Sequence, residues 1–403
     1  MKDKAIEKLI ALEVKRQRET IDLIPSENYA PPEILRAVGS PLMNKYSEGY
    51  PGRRYYPGNQ YYDQIENLAK ERALKAFRLK QTEWSANVQP YSGSPANIAI
   101  YGGLMQPGDI LMGMKLAAGG HLTHGHKVSF TGKFFKTFQY DISEETGLID
   151  YAALKLLAEE HRPRVIVSGA TAYPRKIDFQ KIADIARRVG AFHVADISHI
   201  AGLVLAGLHP SPFPYADAVM TTTHKTLRGP RGAVIFAKKE IAEIIDKAVF
   251  PGFQGGPHNN TTAAIALMFA EAVSPAFKKY QRQIVKNAKA LAEKLGEFGF
   301  SLVTGGTDTH LLLIDLRKTG LEGKVAERML EENNIVANRN SIPGDIKPFS
   351  PSGVRIGTPA TATRGMREKE MAKIAGFIHR ILIKKEWVQK EVLALCKKFP
   401  LKY

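Results

Sequence analysis

The sequence predicts an α/β protein: a large domain with a mostly parallel central sheet sandwiched by helices, followed by a smaller C-terminal α+β domain. Three observations carry this. Through the middle of the chain, short β-branched and apolar runs alternate with helical stretches (a strand over 164–168, a helix over 179–189, a strand over 191–196), and such alternation builds βαβ units around a parallel sheet. Two of the predicted strands end in chemically active residues, with Asp196 closing one and Lys225 just beyond another over 216–223; open α/β sheets place ligands outside such carboxyl ends. Past residue 310 the pattern changes to Leu311-Leu-Leu-Ile-Asp315, a helix over 324–332, a short strand from Ile335 and terminal helices from Arg367.

Composition bounds the remaining possibilities. With 403 residues and 44% hydrophobic content, the chain has enough apolar mass for two domains and a sizeable core. No apolar run reaches the ~18 residues a membrane span needs, and the charged N-terminus lacks the apolar region of a secretory signal. The single cysteine, Cys396, excludes an intramolecular disulfide and fits a reducing compartment, expected to be the cytoplasm. The formal charge of +17 suits nucleic acid, an anionic substrate or a lineage with basic proteins. The basic residues are scattered and match no nucleic-acid motif, which ranks nucleic acid last. The expected organisation is an N-terminal arm over 1–30, a large domain over 31–275 and a small domain over 276–403.

Taken in order, the first nineteen residues read as an amphipathic helix, with Ile6, Leu9, Ile10 and Val14 at helical spacing. Pro25, Pro31 and Pro32 interrupt helix around Ser26. The stretch Asn44-Lys-Tyr46-Ser-Glu48-Gly-Tyr-Pro-Gly-Arg-Arg-Tyr55-Tyr56-Pro-Gly has too many glycines and prolines for regular structure and too many tyrosines for a linker. It reads as an ordered loop, either packed on the surface or functional. A helix over 62–77 follows. Ser92-Gly93-Ser94-Pro95 then places hydroxyls and free N–H groups at a helix start, with proline suited to the first turn. This is an ordinary N-cap or an anion site. No nucleotide-phosphate loop signature occurs. After a strand over 109–114 comes Gly119-Gly-His121-Leu-Thr-His124-Gly-His126, whose histidines suggest a metal although no nearby carboxylate or cysteine completes a site. Asp196 either caps the next helix or serves a ligand. A long helical region runs over 261–296, with a break near Pro275. Arg355, in Gly353-Val-Arg355-Ile-Gly357, sits in an apolar strand and calls for a carboxylate, structural or bound.

The centre of the chain is Thr221-Thr-Thr-His-Lys225-Thr-Leu-Arg-Gly-Pro-Arg231. A lysine at the mouth of a buried strand loses its proton more readily than a surface one, because desolvation disfavours the ammonium. Schiff-base lysines are made this way; the plain alternative is a solvated loop lysine. A lysine carrying pyridoxal phosphate would also need an acid for the ring nitrogen, a phosphate cradle and a cation for a substrate carboxylate. Asp196, Ser92–Ser94 and Arg355 are the candidates.

The chain resembles the serine hydroxymethyltransferase family of fold type I pyridoxal-phosphate enzymes over nearly its whole length. The segments around Lys225 and Tyr46–Tyr56 carry the resemblance, together with Gly119-Gly-His-Leu-Thr-His-Gly, Gln254-Gly-Gly-Pro and Ser352-Gly-Val-Arg-Ile-Gly-Thr-Pro-Ala. The resemblance implies that Lys225 holds pyridoxal phosphate as an internal aldimine, that Asp196 pairs with the pyridinium nitrogen, that His199 lies near the phenolic oxygen and that His121 stacks on the ring. It assigns the phosphate to Ser92, Gly93 and Ser94, helped by Gly256 and Tyr46 of a second subunit. Arg355 and Ser26 would bind the amino-acid carboxylate, with Thr222 and His224 flanking the lysine. Glu48 and Tyr56 would come from the partner subunit of a homodimer, with a tetramer as the larger alternative. Leu116, Gly120, Leu122 and Asn340 match positions lining the folate site. The implied reaction converts L-serine and tetrahydrofolate to glycine and methylenetetrahydrofolate, with Glu48 moving protons between serine hydroxyl and folate nitrogen. Tyr91 stands where histidine is common, Pro95 where glutamine or alanine is, and Ile197-Ser198 where Met-Ala is. These departures leave open whether the pterin is tetrahydrofolate or a modified one. A threonine-aldolase-like enzyme without pterin and a basic RNA-binding protein are the alternatives.

Overall fold

A computed structural model describes residues 2–345 and 350–402. The chain divides into two compact units, one over 30–282 and one assembled from both ends, 1–29 with 283–403.

The larger unit is built on seven strands: β1 (Trp84–Asn87), β2 (Ile110–Met114), β3 (Lys136–Tyr140), β4 (Val165–Ser168), β5 (Phe192–Asp196), β6 (Ala218–Thr222) and β7 (Ala233–Lys238). Their order across the sheet is β1-β7-β6-β5-β4-β2-β3. The pairs β6–β5, β5–β4, β4–β2 and β2–β3 are parallel, and β7 runs antiparallel to both of its neighbours. The predicted parallel core is therefore present, with β1 and the edge strand β3 added. Both faces of the sheet are covered. Val165, Val167, Val194, Ala218, Met220 and Ile235 pack on one side against Ala96, Ile100, Leu104 and Ile245. On the other, Phe236 meets the rings of Phe77 and Phe213 at 5.1 and 5.3 Å. Burial on both faces is why the strands read as unbroken apolar runs rather than alternating ones.

The helix Phe179–Val189 shows how local sequence sets an element. Asp178 caps it by accepting from Lys181 N, and Gly190 ends it at φ 72°. Phe179, Ile182, Ala183, Ile185 and Ala186 form its buried stripe. Each large apolar side chain so buried contributes roughly 1.5–3 kcal/mol.

In the smaller unit, four antiparallel strands run in the order Ser301–Leu302, Leu311–Asp315, Gly353–Gly357, Asn338–Asn340. Leu312, Ile314, Val354 and Ile356 pack with Met371, Ile374, Ala375 and Ile378 of the helix Glu368–Leu382. Ile21–Asp22 pairs in parallel with Ile335–Val336. Buried Arg364 fastens the N-terminal segment by donating to the carbonyls of Thr20 (2.8 Å) and Arg18 (2.9 Å) as well as to Phe399 O (2.8 Å). The helix Lys4–Glu19 has no buried residue in the single chain, and its apolar stripe of Ile6, Leu9 and Ile10 faces out. Among the described residues no helix is long and apolar enough to cross a membrane, and Cys396 is buried and unbridged.

Candidate active site

Parallel neighbours deliver Asp196 and Lys225 to one edge. β5 and β6 pair in parallel, with Asp196 opposite Met220, so the two strands end together. The Asp196 carboxylate is buried. It accepts from Asn97 Nδ2 (3.0 Å) and Ser198 N (3.0 Å), and lies 3.1 Å from His124 Nε2. Burial alone would raise its pKa, but the hydrogen bonds from His124 and Ser198 and the charges of His124 and His121 outweigh it. The carboxyl is held well below the ordinary range and stays ionised.

Lys225 follows β6 directly, and its Nζ donates to Thr222 Oγ1 at 2.8 Å. Thr222 is tied in turn to the end of β5, because its N–H donates to Ser198 Oγ at 3.0 Å. The lysine turn is held by Gly229 N to Thr223 O (2.7 Å), Thr223 Oγ1 to Pro230 O (2.6 Å) and Thr226 Oγ1 to His199 O (3.1 Å). Buried His199 is thereby bound to the same turn. Burial beside Lys225 and Arg231 pulls the His224 imidazole down to about 3, so the ring is neutral. Its Nε2 lies 3.3 Å from Arg231 Nη1 and accepts. Nδ1 is then the protonated nitrogen, and it is buried with no partner among the described residues.

The Ser92–Ser94 segment begins the helix Gly93–Leu104, and the Ser92 hydroxyl makes no capping bond within the described residues. A Cβ at Gly93 would sit 2.8 Å from Thr222 Cγ2. Glycine there lets the helix start close in beside the lysine turn. Pro95 lies in the first turn, where a missing N–H costs nothing. The ring of Tyr91 stacks on His258 at 4.3 Å and its hydroxyl donates to Gly256 O at 2.8 Å, giving the unusual tyrosine a defined place. The Ser198 hydroxyl, the other departure, is the group that holds Thr222.

His121, half-buried, has Nδ1 2.7 Å from Thr123 Oγ1, and Thr123 accepts from Asn97 Nδ2 at 2.9 Å. Asn97 thus bridges the histidine loop to Asp196. The sequence reading missed Asn97 and His124 as members of this network. His124 stood out only as one of three histidines considered for a metal, and among the described residues no metal-holding group of three or more His, Cys, Asp or Glu occurs. The signal for Asn97 was available: a lone amide among alanines and isoleucines on a mostly apolar helix needs a partner.

Glu48 is half-buried and lies beside Gly255 and Gly256, with its Cγ 3.4 Å from where a Gly256 Cβ would stand. Tyr46 and Tyr56 make an edge contact at 5.4 Å and are both exposed. Tyr46, Glu48, Tyr56 and Gly256 therefore come from two nearby segments of one chain. Glu48 also lines a cavity of about 550 Å³ with Tyr55, Phe253 and Gln254. Leu116 is half-buried, Leu122 exposed, and Gly120 buried with its N–H on Lys115 O at 3.0 Å.

Ser26, Arg355 and Asn340 belong to the smaller unit. Arg355 pairs across the sheet with Asn338 and donates from Nε to its Oδ1 at 3.1 Å. Asn340, two residues along the same strand, faces the same way. Burial pulls the Arg355 guanidinium down to about 10, opposed by the charge of Glu27. It remains charged at neutral pH, and a carboxylate ligand would offset that burial.

The serine hydroxymethyltransferase family model matches residues 1–378 of the 403. The chain belongs to that family. Serine hydroxymethyltransferases are pyridoxal-phosphate-dependent one-carbon transferases of fold type I that interconvert serine and glycine with a folate co-substrate, and the seven-stranded sheet has the corresponding architecture. Its substrates are small molecules.

The residues around Lys225 fit the family cofactor on three counts. Asp196 is a buried anion for a protonated ring nitrogen. The uncapped helix start at Ser92–Ser94 suits a phosphate. Thr222, which accepts from the Lys225 amine, is tied through its N–H to Ser198 beside Asp196 and has its methyl against Gly93 of the helix start.

Proposed function

We propose that Lys225 carries pyridoxal phosphate covalently and that the remaining assignments follow around it. The buried, ionised Asp196 one strand from Lys225 is the observation that most supports this. When bound, the cofactor supplies an electron sink for the pair left by a bond breaking at the substrate α-carbon. Asp196, oriented by His124 and Asn97, keeps a proton at the ring nitrogen. The Ser92 and Ser94 hydroxyls and the helix N–H groups hold the phosphate, with Gly256 and Tyr46. His121 packs the ring face, and His199 sits by the phenolic oxygen. Thr222 and His224 keep the Lys225 amine in place. Arg355 and Ser26 bind the serine carboxylate, while Leu116, Gly120, Leu122 and Asn340 line the folate site. Tetrahydrofolate is the co-substrate, and the compartment is the cytoplasm, in keeping with the lone cysteine. Serine cleavage measured with and without tetrahydrofolate tests the reading: the cleavage should depend on the pterin.

Glu48 moves the proton between serine hydroxyl and folate nitrogen, and with Tyr56 it is supplied by the partner of a homodimer. Its clustering with Gly256 and Tyr46 supports this, since the group would enter a neighbouring site together. Glu48→Gln should cut folate-dependent serine cleavage by about 10²–10⁴-fold, the usual worth of a general acid–base group. Folate-free cleavage of phenylserine, whose aldehyde product is stable, should stay within about threefold, by the same reasoning. Mixing Glu48→Gln with Lys225→Gln protein should restore activity, because a heterodimer has one site with both residues intact. Absence of any restoration would place Glu48 in its own chain's site.

Arg355 forks onto a carboxylate with paired hydrogen bonds, a geometry lysine cannot copy. Arg355→Lys should weaken serine and glycine binding by about 10–100-fold, from the ~1.5–3 kcal/mol of a charged hydrogen bond. Pyridoxal phosphate affinity should be unchanged in the same titrations. Equal loss of both would mark Arg355 as structural.

A further inference from the structure

We propose that Arg54 is the positioning residue for Glu48, an inference that rests on the proton-transfer role given to Glu48 above. The loop around Glu48 is a tight hairpin, Gly49–Tyr50 against Arg53–Arg54. The Arg54 side chain is 4% exposed. Its Nη1 donates to Ser47 O (2.8 Å) and Gly49 O (2.7 Å), the carbonyls on either side of Glu48. Nε donates to Asp63 (2.8 Å) and Nη2 to Glu66 (2.6 Å), both on the helix Gln60–Ala76. The Glu48 carbonyl itself accepts from Tyr55 N at 3.0 Å.

The consequence is geometric. The Ser47 carbonyl belongs to the peptide plane before Glu48, and the Glu48 carbonyl to the plane after it. Fixing both planes fixes φ and ψ of Glu48. The third plane is held twice, since Gln89 Nε2 also donates to Gly49 O (3.0 Å) while bonding Glu66 (3.0 Å). Gly49 sits at φ +92°, where an added Cβ would lie 2.4 Å from Arg53 O. The backbone on the far side of Glu48 is therefore one that only glycine adopts without strain. A carboxylate that transfers a proton must be held to within tenths of an ångström. A buried Arg54–Glu66 pair adds little to stability compared with an apolar pair of the same shape. What the guanidinium adds is a fork that reaches two acids and two carbonyls at once, which an ammonium cannot do.

Arg54→Lys keeps the charge and removes the fork. Its kcat for tetrahydrofolate-dependent serine cleavage should fall about 10–100-fold, the order of loss from an ~1 Å misplacement. Pyridoxal phosphate affinity and folate-free phenylserine cleavage should each stay within about threefold, since neither uses Glu48. In the double variant with Glu48→Gln the folate-dependent rate should be no lower than in Glu48→Gln alone, because the two losses share one cause. A merely structural Arg54 would lower both reactions and cofactor binding together, and that result overturns the proposal, as does folate-dependent activity within threefold of wild type. If Arg54→Lys does not fold, Gln89→Leu decides: it takes one donor each from Gly49 O and Glu66 and leaves the Arg54 side chain in place. A smaller loss confined to the folate-dependent reaction supports the proposal, and an equal loss in both reactions overturns it. If Glu48→Gln itself spares the folate-dependent reaction, the Glu48 reading fails and this inference falls with it.

Discussion

With Lys225 carrying the cofactor as proposed, Lys225→Gln is expected to abolish turnover, by roughly 10³-fold or more, because the amine would supply the covalent link. Glutamine keeps the length of the side chain and can still hydrogen bond to Thr222 Oγ1, so the lysine turn should hold. The bonds that shape the turn run through Thr223, Thr226 and Gly229 and do not involve the Lys225 amine. The variant should therefore still bind pyridoxal phosphate through Ser92–Ser94 and Asp196, but as a dissociable ligand. Borohydride reduction followed by peptide mapping reads this directly. Wild type should carry the label on Lys225 and the variant none. A label on any other lysine ends the assignment.

Asp196→Asn is the second large effect. The aspartate is buried and ionised, with His124, Asn97 and Ser198 around it. Asparagine is nearly isosteric, and it removes the charge proposed to keep a proton on the ring nitrogen. Breaking one side of a buried ion pair costs ~3–5 kcal/mol. Expressed in the transition state, that is a loss of about two to three and a half decades in kcat, at ~1.4 kcal/mol per tenfold. The two reactions should fall together, because serine cleavage and phenylserine cleavage need the same electron sink. A kcat within threefold of wild type would reduce Asp196 to a helix-capping residue. The amide oxygen can still accept from Ser198 N, but the amide nitrogen that replaces Oδ2 cannot accept from Asn97 and leaves His124 with a poorer partner.

Legibility in the sequence followed burial. The strands around Val165, Phe192, Ala218 and Ala233 and the helix Phe179–Val189 were readable because both faces of this sheet are covered, which writes continuous apolar runs into the chain. Lys136–Tyr140 is not legible as a strand. It lies at the sheet edge, pairs only with β2, and its Lys-Thr-Phe-Gln-Tyr pattern is half polar because its residues are half-exposed. Trp84–Asn87 escaped for a related reason: it is four residues long at the other edge, and Ser85 and Asn87 dilute its apolar character. The N-terminal helix was legible by period, yet its apolar stripe is exposed in the single chain, since periodicity reports that a face is apolar and says nothing of what covers it.

By itself the sequence determined the α/β class, the placement of Asp196 and Lys225 at strand ends, and membership of the family through motifs spread over the chain. These are local properties, set by residue type and spacing. Only the tertiary structure decided that the first 29 residues join the C-terminal unit, through Ile21–Asp22 pairing with Ile335–Val336 and the Arg364 bonds. It also decided that Asn97, 99 residues before Asp196, holds that carboxylate together with His124, and that Arg54 reaches the carbonyls flanking Glu48. These contacts join segments whose separation along the chain leaves no periodic trace. They exist because a buried polar group must find a partner wherever the folded chain provides one.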